Sequence, residues 1–186
     1  MTAPPETAEA CRRALLEALA HPPPDRRALR PLVEQLERLQ PADLERDRAL
    51  LRGVWELAWS SSSQPWLREG PWLENLQVLD PEAGRAMNLL RLRGPLGPLA
   101  AISVVASIAV EGRQRVAVRF ERGGWIGPAL GTWRPELLAR VQQPTPAWLD
   151  ITVLDSELRL CRGNAGTVFA LRRRPDLRPE DLLPAA

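Results

Sequence analysis

The sequence contains no lysine and no tyrosine, and all 25 of its basic residues are arginine. Without a lysine amine there is no Schiff-base chemistry and no nucleotide-loop lysine for a phosphate. Histidine is confined to His21, beside Pro22-Pro23-Pro24, where it reads as a loop residue rather than a catalyst. The two cysteines, Cys11 and Cys161, lie far apart, and neither belongs to a CxxC pair. They read as two reduced thiols, not a disulfide framework or a thiolate zinc site. No cofactor and no metal is expected. The longest apolar run, Pro98 to Val110, falls short of the about 20 residues a spanning helix needs. Met1 to Ala10 is polar and acidic, unlike a secretory signal or an Arg- and Ser-rich transit peptide. A net charge of +2 argues against a dedicated nucleic-acid binder. The expectation is a soluble protein, at most peripheral to a membrane.

What is present fits one domain: 186 residues, 45% hydrophobic and 26% charged. Residues 1–52 read as a helical segment. Ala10, Ala14, Leu15, Ala18 and Leu19 make one apolar stripe, which Pro22 to Pro24 ends. Asp25 can cap a second helix, Pro31 is expected to restart it, and Leu32, Val33, Leu36 and Leu39 form its apolar face. Asp43 to Leu51 is a shorter helix. From Gly53 the period changes to two. Strands are expected at Val54–Ser60, Leu73–Leu79, Arg85–Arg91, Ala101–Glu111, Gln114–Glu121, Trp148–Leu154, Glu157–Arg162 and Thr167–Arg172. Arg122 to Ala147 reads as a long connection. Residues 53–174 are thus a β domain, and 175–186 a flexible tail. Closing eight antiparallel strands into a barrel would remove both sheet edges; a β-sandwich is the other solution.

Two stretches resemble a known family. Leu51 to Ser60 (LRGVWELAWS) resembles the opening strand of the plastid lipid-associated proteins, also called plastid fibrillins. Leu154 to Leu171 (LDSELRLCRGNAGTVFAL) is similar to that family's C-terminal signature, roughly Y-L-D-x-D-L-R-I-x-R-G-x-x-G-x-L-F-V-L. Trp59, Val153 and Glu157 depart from it where the family has Tyr, Tyr and Asp. The resemblance implies a mainly β fold with N-terminal helices, namely a lipocalin-like antiparallel eight-stranded β-barrel. It implies non-enzymatic binding or carriage of a hydrophobic small molecule (isoprenoid quinone, tocopherol, carotenoid or lipid) at the thylakoid surface. The polar start places the chain with the cyanobacterial members, cytoplasmic and peripheral on the membrane. The alternative is an adaptor with a filled barrel, which holds a photosynthetic or isoprenoid-synthesis protein partner. A bilin lyase on the same barrel is a third reading, which the poor acid–base inventory does not support.

Among single residues, Gly53 and Trp55 are expected to close one end, with Trp55 stacked on Arg159, Arg162 or Arg172. Asp155 and Arg159 can pair across a hairpin or meet a ligand head. Gly163 and Gly166 form a turn, with Phe169 beyond it. Trp72, Trp125 and Trp133, with Trp66, sit on Gly- and Pro-rich segments, either rimming a pocket or folding over it as a lid. Asn75 and Asn88 lie in strands, where Asn is disfavoured, so they either bond a ligand carbonyl or cap nearby backbone. Trp59 and Arg119 complete the candidate ligand contacts. Ser60 to Ser63 has neither a nucleophile-elbow pattern nor a histidine beside it and reads as a loop. Arg172 to Arg174 is either a headgroup contact or a solvated face.

Overall fold

Two of the helices start at a side chain that accepts a hydrogen bond from their otherwise unpaired first-turn amides. In the computed structural model, which describes residues 7–20, 26–62, 72–94, 101–128, 135–142 and 146–184, Thr7 accepts from the Ala10 amide at 3.2 Å and opens α1, Ala8–Leu19. Asp43 accepts from the Glu45 amide at 3.2 Å and opens α3, Leu44–Leu51. Between them α2, Arg26–Leu39, runs through Pro31 instead of restarting at it. The proline removes one backbone donor, but the buried stripe Leu29, Val33 and Leu36 continues on both sides and holds the helix together.

Among the described residues nine strands follow, where eight were expected. They are β1 Gly53–Ser60, β2 Leu73–Asp80, β3 Arg85–Leu92, β4 Ala101–Glu111, β5 Arg115–Ile126, β6 Glu136–Arg140, β7 Ala147–Leu154, β8 Leu158–Gly163 and β9 Val168–Arg173. A one-turn helix, α4 Pro179–Leu182, comes last. All pairings are antiparallel, in the order β4-β3-β2-β1-β9-β8-β7-β5-β6. β4 also pairs with β5, so the sheet returns on itself as a ring. β5 is shared: its first residues pair with β7 and its last with β6. The connection expected over 122–147 therefore holds the end of β5 and all of β6. The cause is glycine used for closeness rather than for a turn. Gly124 has φ +155° and faces Leu137, and a Cβ there would collide with the backbone of β6.

The alternation of side chains sorts three apolar cores. Inside the ring lie Trp55, Leu57, Leu79, Ala106, Ile108, Val116, Ile151 and Leu171, with Leu44 and Leu51 of α3 against them. Outside, α1 and α2 set Cys11, Leu15, Leu29, Val33 and Leu36 on Val153, Leu158, Leu160, Val168 and Ala170 of β7, β8 and β9. Each such side chain contributes about 1.5–3 kcal/mol by burial, before the entropy of ordering it. Elsewhere on the outside, Leu182 of α4 packs on Val54, Leu76, Val78, Met87 and Leu89. The register of β1 shifts between Leu57 and Trp59, so Trp59 turns outward to the helices instead of inward. Both cysteines are free and buried. Among the described residues, no helix is long and apolar enough to cross a membrane.

Candidate functional site

One end of the ring is closed by Trp55 and α3. The indole is fully buried, and its N–H donates to the Leu51 carbonyl at 3.0 Å. Two guanidinium groups stack on it: Arg173 lies 4.4 Å and Arg159 5.1 Å from a ring centroid. Arg162 instead pairs with Glu37 on α2 at 2.6 Å, and Arg173, not Arg172, is the second stacking partner. The register decides this: Arg173 is opposite Trp55 and shares its face, whereas Arg172 is opposite Glu56. Gly53 makes room, because a Cβ there would strike the Arg173 guanidinium. Arg173 donates to the carbonyls of Arg52, at 2.9 Å, and Leu50, placing its cation at the negative end of α3.

Arg159 has no such satisfaction. It is fully buried on the inner face of β8, and its one hydrogen bond goes to the Gln77 side-chain oxygen. Its Nε and Nη1 have no partner among the described residues. Burial pushes its pKa down to about 10, with repulsion from Arg173 adding to the effect. The neighbouring Cys161 thiol is pushed up to about 11 by burial, so at neutral pH it supplies no negative charge. The expected Asp155–Arg159 pair does not form. Asp155 stays at the hairpin turn, accepting from the Glu157 and Leu158 amides and from Arg12 of α1 at 2.6 Å.

Beyond this floor the interior is hollow. A cavity of about 440 Å³ is lined by Leu79, Ala86, Ala106, Ile108, Val116, Phe120 and Phe169, with Gln77, Asn88, Arg159, Asn164 and Thr167 among its polar residues. An adjoining cavity of about 480 Å³ shares Gln77, Asn88, Val104, Phe120 and Phe169 and continues to Asn75, Leu90, Ile102 and Val141. Asn75 and Asn88 are therefore cavity residues. Ile102, Trp125 and Leu137 sit opposite one another on β4, β5 and β6, all exposed, and Leu73 and Leu92 pair nearby, also exposed. They form an apolar rim at the end away from α3. Trp72, 78% exposed, stands beside Leu73. Trp59 is away from the interior, under the helices. Arg119 borders a third cavity of about 830 Å³, at β4, β5, β6 and β7, which shares Ile108, Val118, Phe120 and Ala147 with the first. Trp66, Trp133 and His21 lie outside the described residues.

Gln77 was not singled out from the sequence, and Arg173 was named only within the basic run Arg172 to Arg174, not as a partner of Trp55. Gln77 had a signal: in the inward row Leu73, Asn75, Gln77, Leu79, two adjacent positions are polar where burial demands apolar side chains. Among the described residues, no carboxylate lines either interior cavity, and no cluster of His, Cys, Asp or Glu could hold a metal ion. The arrangement suits an apolar guest with one polar end, not proton transfer.

Comparison with known proteins finds relatives and a family. Two potato-genus proteins, each named "Light-induced protein, chloroplastic", from Solanum tuberosum and Solanum demissum, are 31% identical over 198 residues, covering 80% of this chain. The chain spans 60% of the length of these curated relatives. No solved structure matches it. The sequence model of the PAP_fibrillin family matches residues 16–172, from within α1 to β9. By that match the chain belongs to the PAP_fibrillin family, the plastid lipid-associated proteins.

Proposed function

We propose that the ring is a lipocalin-like container that holds a hydrophobic small molecule (an isoprenoid quinone, tocopherol, carotenoid or lipid), and that it does so without catalysis, at a thylakoid membrane surface. The observation that carries this reading is the hollow interior, with cavities of about 440 and 480 Å³ that share a wall. Each falls within the roughly 300–1,000 Å³ typical of small-molecule sites. A guest that buries ten methylenes gains about 8 kcal/mol of gross hydrophobic transfer, before ordering costs. The apolar rim of Ile102, Trp125 and Leu137 gives such a guest a route that is never fully aqueous. A scaffold with a filled core, the rival reading, has no use for this space.

The test is a titration of the purified chain, stripped of lipid, with a plastoquinone, a tocopherol, a carotenoid and a single-chain lipid. Intrinsic tryptophan fluorescence is the readout, since Trp55 lies at the chamber floor. A saturable change with at least one of the four, at about one guest per chain, is expected. A flat response to all four would overturn the proposal.

A further inference from the structure

Arg159 poses a problem that the apolar-guest reading leaves open. Among the described residues, this fully buried guanidinium has one hydrogen bond, to Gln77, and two nitrogens with no partner. No carboxylate of the described residues lines the cavity to which it belongs, and the adjacent Cys161 is a neutral thiol. The charged side chain that acts on it is Arg173, of the same sign. An unpaired buried charge is expensive, and a stable fold keeps one only where something else neutralises it. The second arginine is already committed to the carbonyls at the end of α3, so the deficit amounts to one negative charge.

From this we infer that the chamber takes a long-chain carboxylic acid, bound head-down, with its carboxylate on Arg159 beside Gln77 and its chain running toward the Ile102–Trp125 rim. The inference rests on the reading that the chamber holds an apolar guest, and it specifies the chemistry of the guest's buried end. A carboxylate balances the single positive charge. A phosphate monoester would leave excess negative charge in an apolar site. A neutral alcohol or ester would leave the guanidinium uncompensated.

The experiment compares hexadecanoic acid, its methyl ester, hexadecanol and hexadecyl phosphate on the intact, delipidated chain at pH 8, read by tryptophan fluorescence and equilibrium dialysis. The acid is expected to bind about tenfold to a hundredfold more tightly than the ester or the alcohol, the difference a charge-assisted hydrogen bond makes. Arg159→Met and Gln77→Leu are expected to erase or shrink that preference while the ester still binds. Because Arg159→Met removes an uncompensated charge, it is also expected to raise the melting temperature of the ligand-free chain. If the ester or the phosphate binds as tightly as the acid, or the preference survives Arg159→Met, the carboxylate assignment is overturned while the apolar-guest reading stands. If no probe binds, the carboxylate assignment falls, and the apolar-guest reading falls with it only if the plastoquinone, tocopherol and carotenoid titrations are flat as well. The comparison of acid with ester on the unaltered chain decides the matter even if a variant does not fold.

Discussion

Glu74 shows how single charged side chains tie the end of the chain to the ring. It is only 5% exposed on β2, and Arg91 and Arg174 reach it at 2.8 Å each, with Arg174 also bonding Glu56 at 3.0 Å. Burial alone would raise its pKa, but the two guanidiniums outweigh burial and hold the carboxyl below its ordinary value. Because the folded pKa lies below the unfolded one, this contribution is complete above the unfolded value and fades as pH falls through the folded value. Asp155, held low by Arg12 and two backbone amides against the effect of burial, follows the same sign. Urea midpoints should therefore hold level from pH 7 to about 5 and drop below about pH 4, with a shallower drop in Glu74→Gln. A drop of equal size in that variant would count against the assignment. Arg174→Met at neutral pH is expected to cost about 1–3 kcal/mol. That is less than the roughly 3–5 for a wholly isolated buried charge, since Arg91 remains. Gly53→Ala meets both a φ of +152° and the Arg173 guanidinium. An expected loss of about 1–3 kcal/mol, measured by urea unfolding, checks that the Trp55 stack needs this glycine.

Among the elements, the α1–α2 pair matters most to the ring, because it covers the outer faces of β7, β8 and β9. Leu15 is wholly buried there, and Leu15→Ala is expected to cost about 2–4 kcal/mol by urea unfolding. A loss below about 1 kcal/mol would mean the helices are only loosely seated. This covering was partly legible in the sequence. The stripe through Leu15 and Leu19 and the one through Val33 and Leu36 announced buried faces, and proline and glycine marked most strand ends. Three features were not legible, for physical reasons. β6 was hidden because Gly123-Gly124 serves as a close-approach site, which local sequence cannot distinguish from a turn. The direction of Trp59 depends on a register shift after Leu57, and one extra residue in a strand reverses every later side chain. Which arginine reached Trp55 depended on pairing between β1 and β9, some 118 residues apart in sequence (Trp55 with Arg173), and on no local pattern. The cavity-lining Asn75 and Asn88 were legible, because a polar residue inside an apolar alternation needs a reason.

For the whole molecule, the hollow core is the property to manipulate. Ala106 on β4 borders the cavity of about 440 Å³ that Arg159 also lines. Ala106→Phe is expected to abolish saturable fluorescence changes with every guest while leaving the far-ultraviolet circular dichroism unchanged; binding that persists would place the guest elsewhere. The ring's closure also has a mechanical consequence. β1 pairs with β2 only over Gly53–Glu56, and β5 with β7 only over Arg115–Val118. Both seams sit near the Trp55 floor, and above each the neighbouring strands diverge. The described strands thus form two petals joined at the base, a four-stranded one of β7, β8, β9 and β1 backed by α1 and α2, and a five-stranded one of β2 to β6 with α4 against it. Among the described residues, no backbone ladder spans either seam beyond this base. If the ring holds a guest as proposed, such an aperture would admit thick and slender guests alike, and discrimination between cargoes would fall to the base, where Arg159 and Gln77 sit.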